Sequence, residues 1–133
     1  MPLNQLKGMT EELAKALKAQ GVTHSDGLLE AAKGPKERKA LAKQVGARER
    51  EILELANRAD LSRVKGVAGV FSDLLERAGV DTVKELATRR PDNLHAKIAE
   101  VNQAEGLTKR LPTASEVQEW VAQAKELPKV LSY

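Results

Sequence analysis

Hydrophobic residues recur along the chain every three or four positions, which is the spacing of one face of a helix. In the first such run, over residues 10 to 20, Thr10 stands where a helix is capped and Gly21 where it ends. Later runs predict helices after the turn at 23–26, over 35–46, over 47–63, over 69–78, from Asp81 or Thr82 through 87, after Pro91, and over about 113–127. The last begins with a capping box, Thr113 and Glu116. The pattern therefore predicts an all-α fold.

The same pattern occurs twice, 58 positions apart. Residues 6–22 match residues 64–80, with the identical pairs Lys7/Lys65, Gly8/Gly66, Leu17/Leu75, Gly21/Gly79 and Val22/Val80. Matching prolines, Pro35 and Pro91, extend the duplication to about 6–46 and 64–102; they are 56 positions apart because the first copy is two residues longer in the loop before its proline. We therefore predict a single helical domain over residues 1–133, with two repeats, a linking helix over 47–63 and a C-terminal helix at about 113–127.

The amino-acid composition also favours an all-α fold. The chain has one Phe, one Tyr and one Trp, so its core must be built from Leu, Val, Ile and Ala, which suits helix packing better than a sheet. The absence of Cys excludes disulfides, thiolate metal ligands and a cysteine nucleophile. Trp120 could stack on a nucleic-acid base, but its place in the apolar stripe of the last helix favours a core position.

Membrane and catalytic signals are missing from the sequence. No apolar run approaches the roughly 20 residues that span a bilayer, and the first residues lack the layout of a signal peptide. His24 and His95 form no metal pattern with neighbouring residues, and no serine has a nucleophile-elbow context. We expect a cytoplasmic protein with no membrane partner, no metal, no cofactor and no enzymatic activity.

Basic charge is concentrated in one segment. The net charge is +3, yet residues 33–50 alone carry seven basic and two acidic residues. Lys36, Lys39 and Lys43 fall at i, i+3 and i+7 on one side of a predicted helix. Such a patch can attract polyanions. The alternative interpretation is an ordinary solvated helix face.

Each repeat begins with an apolar residue, Lys-Gly and a second apolar residue, followed by a helix that closes at Gly-Val. This arrangement resembles the helix-hairpin-helix motif. The resemblance implies that hairpin N–H groups bind nucleic-acid phosphates without reading sequence. Carried over by position, the hairpins are Lys7, Gly8, Met9, Thr10 and Lys65, Gly66, Val67, Ala68.

The two hairpins depart from that motif at its second glycine, which is replaced by Thr10 in the first copy and Ala68 in the second. A β-carbon at this position obstructs a close approach of phosphate. The first copy is also followed by Glu11 and Glu12, which repel phosphate. We therefore predict that the second hairpin is the better phosphate site.

Over most of its length the chain resembles the family called domain of unknown function 4332. The stretches that carry the resemblance are residues 59–66, 74–86, 93–97 and 111–128. The resemblance implies a tandem helix-hairpin-helix-like, SAM-like helical domain. It implies no particular activity, substrate or catalytic residue.

Two functional hypotheses follow. In the first, the second hairpin, with Arg63 and Lys65, binds DNA weakly and without sequence preference, helped by the lysines at 36, 39 and 43. In the second, the hairpins have lost phosphate contact and the chain is an adaptor that binds a protein partner. An exposed apolar patch near Trp120 or Tyr133 would favour the adaptor, whereas a polar surface with a basic face would favour DNA.

Overall fold

The computed structural model describes residues 1–67 and 69–133 and is all-α. A short 3-10 turn, Leu3–Gln5, precedes helices α1 (Glu11–Ala19), α2 (Ser25–Ala31), α3 (Pro35–Val45), α4 (Glu49–Leu61), α5 (Val70–Arg77), α6 (Val83–Thr88), α7 (Pro91–Glu105) and α8 (Ala114–Glu126). Each lies close to a helix predicted from the hydrophobic pattern. Among these described residues, no helix is long and apolar enough to cross a membrane.

The chain divides into two compact units. The first unit contains residues 1–60 and 130–133, and the second contains residues 61–129. Each has its own cluster of buried aliphatic side chains, which includes Leu17, Leu28 and Ile52 in the first unit and Leu75, Leu86 and Ile98 in the second. Whether the two repeats share one domain stays a prediction.

The same tight turn precedes the first helix of both repeats. In the first unit the N–H of Met9 donates to the carbonyl of Leu6 over 3.1 Å, and in the second the N–H of Val67 donates to that of Val64, also over 3.1 Å. Gly8 and Gly66 lie at the third position of these turns, with φ of +92° and +91°. A glycine is needed at both positions because this backbone conformation is strained for residues with a β-carbon.

The ends of α1 and α5 also agree. Gly21 and Gly79 have φ of +85° and +94°, and the valine after each donates back to a leucine carbonyl. The hydrogen bonds run from Val22 to Leu17 (2.9 Å) and from Val80 to Leu75 (2.8 Å). This is the Schellman pattern that ends many helices. The recurrence of turn and helix end at a spacing of 58 residues therefore extends to main-chain hydrogen bonds.

Local caps define the remaining boundaries. Thr10 and Thr82 each accept a hydrogen bond from the N–H three residues later, at 3.1 Å. At the start of α8, Thr113 accepts from the N–H of Glu116 while the Glu116 carboxylate accepts from the N–H of Thr113. The capping box predicted from the sequence is confirmed.

Candidate nucleic-acid interface

The second hairpin is covered by a side chain from α8. The N–H of Lys65 donates to Gln123 Oε1 over 2.8 Å, and Gln123 Nε2 donates to the carbonyl of Lys65 over 3.2 Å. One carboxamide thus pairs with both main-chain groups of a residue that the sequence predicts to face phosphate. The side chain of Lys65 itself extends from an exposed residue.

Trp120 packs against the same hairpin. A β-carbon built on Gly66 would lie 3.0 Å from Trp120 Nε1, so at this position glycine allows α8 to approach closely. Only 2% of the surface of Trp120 is exposed, and its ring lies 5.5 Å from that of Phe71 between centroids. The prediction that Trp120 belongs to the core is confirmed.

The other predicted residues of the second hairpin are also held within the unit. Arg63 Nη1 donates to the carbonyl of Pro128 over 2.8 Å. Val67 is buried, and its N–H is part of the hairpin turn. Ala68 lies outside the described residues. In the described part of the chain the surroundings of this hairpin are those of a packed turn, and its binding role stays a prediction.

The first hairpin is less tightly packed at its glycine than the second. Lys7 and Gly8 are exposed, and a β-carbon on Gly8 would meet Leu55 Cδ2 at an ordinary contact distance of 3.7 Å. Thr10 uses its hydroxyl to cap α1, and the carboxylates of Glu11 and Glu12 follow at the surface. Beside the turn lies an open cleft of about 610 Å³, lined by Pro2, Leu3, Asn4, Met9, Thr10, Glu11, Ala14, Lys15, Lys18 and Thr23.

Lys36, Lys39 and Lys43, here called the lysine stripe, lie exposed along α3. Within the part of the chain that the structure describes, none of the three forms a hydrogen bond or an ion pair. Their neighbours differ: Lys33 pairs with Glu30, which raises the pKa of Lys33 through their hydrogen bond. The positive charge of the stripe is thus directed to solvent.

Two neighbouring arginines of the basic segment are also paired. Arg48 lies 3.8 Å from the carboxylate of Glu51, and Arg50 lies 3.3 Å from that of Glu54. Both pairs are exposed, so each contributes little to stability. These two ion pairs partly neutralise the positive charge at the end of the basic segment. The lysine stripe is the part of the segment whose charges form no ion pair in the described part of the chain.

Arg38 requires a correction to the picture of the basic patch. The sequence counts it among seven basic residues of the patch, but only 5% of its surface is exposed. Its Nη1 donates to the carbonyl of Ala32 over 3.0 Å, and its guanidinium lies 5.7 Å from the centre of the Tyr133 ring. The aligned residue of the second repeat is Leu94, which is fully buried. Arg38 therefore occupies a core position, and its charge does not belong to the surface patch.

The tail that carries Tyr133 is fastened to the first unit. Leu131 is buried, the N–H of Ser132 donates to the carbonyl of Lys33 over 2.7 Å, and the Tyr133 hydroxyl donates to Asn57 Oδ1 over 2.9 Å. Among the described residues, Tyr133 is the exposed large hydrophobic residue, with 59% of its surface accessible to solvent. The described residues therefore form no extended apolar patch around Trp120 or the tail.

The predicted site residues fall into different units. Lys7, Gly8 and the lysine stripe belong to the first unit, whereas Arg63 and residues 65–67 belong to the second. Gln123 is the residue that the sequence analysis missed. No local signal marks it, because a glutamine that pairs with the main chain 58 positions away looks like any polar residue on a helix.

Its small size, the helices of the described residues and two glycine turns at matching positions place the chain among small all-α proteins. Within that class, the model of the family described as Domain of unknown function (DUF4332) matches residues 7–127. The chain belongs to this family. No curated protein and no solved structure matches it.

Proposed function

We propose that this protein is a small non-enzymatic module that binds the phosphate backbone of DNA weakly and without reading sequence. The single observation that carries the proposal is the lysine stripe, three exposed ammonium groups without ion-pair partners in the described part of the chain. Because solvent is their present neighbour, a polyanion can bind them without first breaking a salt bridge.

The length of the stripe suits a nucleic-acid strand. Seven residues of helix separate Lys36 from Lys43, which corresponds to about 10 Å along the axis of α3. One strand of DNA advances by about three phosphates over this distance. The three lysines can therefore neutralise consecutive phosphates without contacting a base edge, which gives affinity but no sequence preference.

The proposal includes two helix-hairpin-helix-like repeats, at residues 6–22 and 64–80. The recurrence of the glycine turn and the helix end in both units supports this part of it. Lys7 and Gly8 are exposed residues of the first of these repeats, and they belong to the same compact unit as the lysine stripe. In the second, Arg63 and Lys65 contribute positive charge beside a main-chain amide that is already paired.

Fluorescence anisotropy with a short labelled duplex tests the proposal. Replacing all three lysines of the stripe with Gln should remove most of the binding at low salt. Three contacts predict a slope of about −2.7 in a plot of log K against log salt for the wild type, and the triple variant should lose most of this slope.

The matched control replaces Lys84, Lys109 and Lys125, three exposed lysines of the second unit, with Gln. Its net charge changes by the same amount, but the salt slope should stay close to that of the wild type. Equal losses in the two triple variants would point to general charge attraction and contradict a site on α3. Absence of wild-type binding at about 50 mM salt, with tens of micromolar protein, would overturn the proposal itself.

A second candidate function is a protein-interaction adaptor. The observation that favours it is the cover over the second hairpin, where Gln123 and Trp120 occupy the side on which phosphate would be expected. Affinity capture from a nuclease-treated lysate separates the candidates. Recovery of a defined partner that survives nuclease treatment supports the adaptor, and recovery of nucleic acid alone from an untreated lysate contradicts it.

A further inference from the structure

The cleft beside the first hairpin has walls that the main chain of the first unit holds in place. One wall is the 3-10 turn at Leu3–Gln5, and the other is α1. The segment before the 3-10 turn is fastened at two points, because Pro2 forms an isolated antiparallel bridge with His24 and the N–H of Ser25 donates to the carbonyl of Met1 over 3.0 Å. The cleft is therefore formed before any ligand binds, so a ligand does not have to order its walls.

The lining of the cleft is apolar at its base and charged at its rim. Leu3 and Ala14 are buried and Met9 is half-buried, so these three residues supply an apolar floor. Lys15 and Lys18 are exposed residues of α1 that lie three positions apart, and therefore on one side of that helix. With a volume of about 610 Å³, the cleft lies in the size range of sites for small organic ligands.

The two ammonium groups at the rim have no partner in the part of the chain that the structure describes. Neither Lys15 nor Lys18 forms an ion pair or a side-chain hydrogen bond there. At the aligned positions of the second repeat the residues are Asp73 and Glu76. The repeat pattern thus does not require lysine at these positions, and the basic rim belongs to the first copy.

We infer that this cleft binds a small amphiphilic anion, in which an apolar body carries one acidic group, either a carboxylate or a phosphate ester. The acidic group binds Lys15 and Lys18, and the apolar body lies on the floor. Glu11 lines the same side of α1 about 10 Å from Lys18 along the helix axis, and its carboxylate repels the acidic group. The ligand is therefore oriented with its charge towards Lys18. This site is separate from the lysine stripe on α3 and goes beyond DNA binding.

Both parts of the ligand are needed for appreciable affinity. Burial of one methylene group strengthens binding by up to about fourfold, so a body of several carbons contributes most of the affinity. The two lysines are exposed, and an exposed charge pair contributes little by itself. An acidic group without the body, or the body without an acidic group, should therefore bind more weakly than the two joined.

The test titrates hexanoate and hexyl phosphate into the ¹⁵N-labelled full chain and follows the amide signals by NMR. Hexanol supplies the same body without the charge, and inorganic phosphate supplies the charge without the body. We expect saturable shifts with both hexyl acids, largest at residues 14–18 and at Thr23, and an affinity at least about threefold higher than for hexanol or phosphate. The stronger of the two acids identifies the acidic group that the site prefers. Equal affinities for the acids and hexanol, or shifts spread evenly over both units, would overturn the inference.

A pair of double variants tests the role of the rim. Lys15→Gln combined with Lys18→Gln should weaken the binding of both hexyl acids at least about threefold and leave hexanol unchanged. The matched control combines Lys39→Gln with Lys43→Gln, which removes the same charge from α3 of the same unit and should keep the wild-type affinity. All four positions are exposed, so both proteins should fold. Equal losses in the two variants would indicate general charge attraction and contradict a site in the cleft.

The same proteins keep this inference distinguishable from the proposed function. Binding of hexanoate that depends on Lys15 and Lys18, in a protein that binds no DNA, would support the cleft and contradict the proposed function. DNA binding that depends on the lysine stripe, in a protein that does not respond to hexanoate, would support the proposed function and contradict the cleft.

Discussion

The two units use the same glycine turn and the same helix end, yet they close their cores with different segments. The core of the first unit contains side chains of α4 and is completed by the four-residue tail at 130–133, of which Leu131 is buried. The second uses the thirteen-residue helix α8, with four buried residues. Short sequence patterns therefore determine the shared part, while different segments of the chain complete each core.

The largest expected effect concerns the cover of the second unit. Trp120→Ala should lower the free energy of unfolding by about 3–5 kcal/mol, because it leaves a cavity between α8 and the turn at Gly66. Urea denaturation followed by circular dichroism measures the loss. Gln118→Ala, at an exposed position of the same helix, is the control and should cost less than about 1 kcal/mol. Similar costs for the two variants would contradict a dominant role of α8.

The cover of the first unit should contribute less. Leu131→Ala removes one buried side chain from the tail and should cost about 2–3 kcal/mol. The same denaturation experiment applies, with Val130→Ala as a control at a half-buried neighbour. If Leu131→Ala were as stable as the wild type, the tail would be a passive extension rather than part of the core.

The glycine turns provide the sharpest comparison between the units. Gly8→Ala should cost about 1–2 kcal/mol because of its positive φ alone. Gly66→Ala has the same φ but also places its β-carbon 3.0 Å from a buried indole, so we expect roughly 1 kcal/mol more. Equal losses of unfolding free energy in Gly8→Ala and Gly66→Ala would show that the Trp120 side chain shifts and accommodates the new methyl group at little cost.

The smallest effect is a dependence on pH that belongs to α8. Arg110 donates to both carboxylate oxygens of Glu116, at 2.9 and 3.3 Å, and the N–H of Thr113 donates to the same group. These bonds lower the pKa of Glu116 to about 2. A lowered pKa means that the stabilising contribution is present above the ordinary value of 4.5 and is lost as the pH falls towards 2.

Melting temperature measured between pH 5 and about 2 tests this contribution. The decrease should be shallower in Glu116→Gln than in the wild type, since Gln cannot take up a proton in this range. Glu119→Gln, an exposed position on the same helix, is the control and should keep the wild-type slope. Identical slopes in all three proteins would contradict a role for the capping box in acid stability.

The features that were predictable from the sequence are those coded by neighbouring residues. The caps at Thr10 and Thr113 and the helix end at Gly21 need only a few adjacent positions, and they lie where the pattern placed them. Contacts between distant segments were not predictable in this way. The burial of Arg38 depends on a tail 95 positions away, and charge alone made it look like a surface residue.

The candidate site shows the same limit. The lysine stripe could be identified because helical spacing places its members on one side, and the structure leaves all three exposed. The accessibility of the second hairpin could not be judged, since the carboxamide that pairs with Lys65 comes from the last helix. A motif thus identifies main-chain groups that can bind a ligand, but the packing around it decides whether they are accessible.

The return of the tail to the first unit also has a mechanical consequence. Residues 1 and 133 both belong to that unit, so tension applied between them is resisted first by its own contacts, such as the hydrogen bond from Ser132 to Lys33. The inserted segment, residues 61–129, experiences the load only after the tail detaches. The connectivity of the chain thus makes the contacts of the tail with the first unit the first to carry the load, whatever the relative thermodynamic stabilities of the two units.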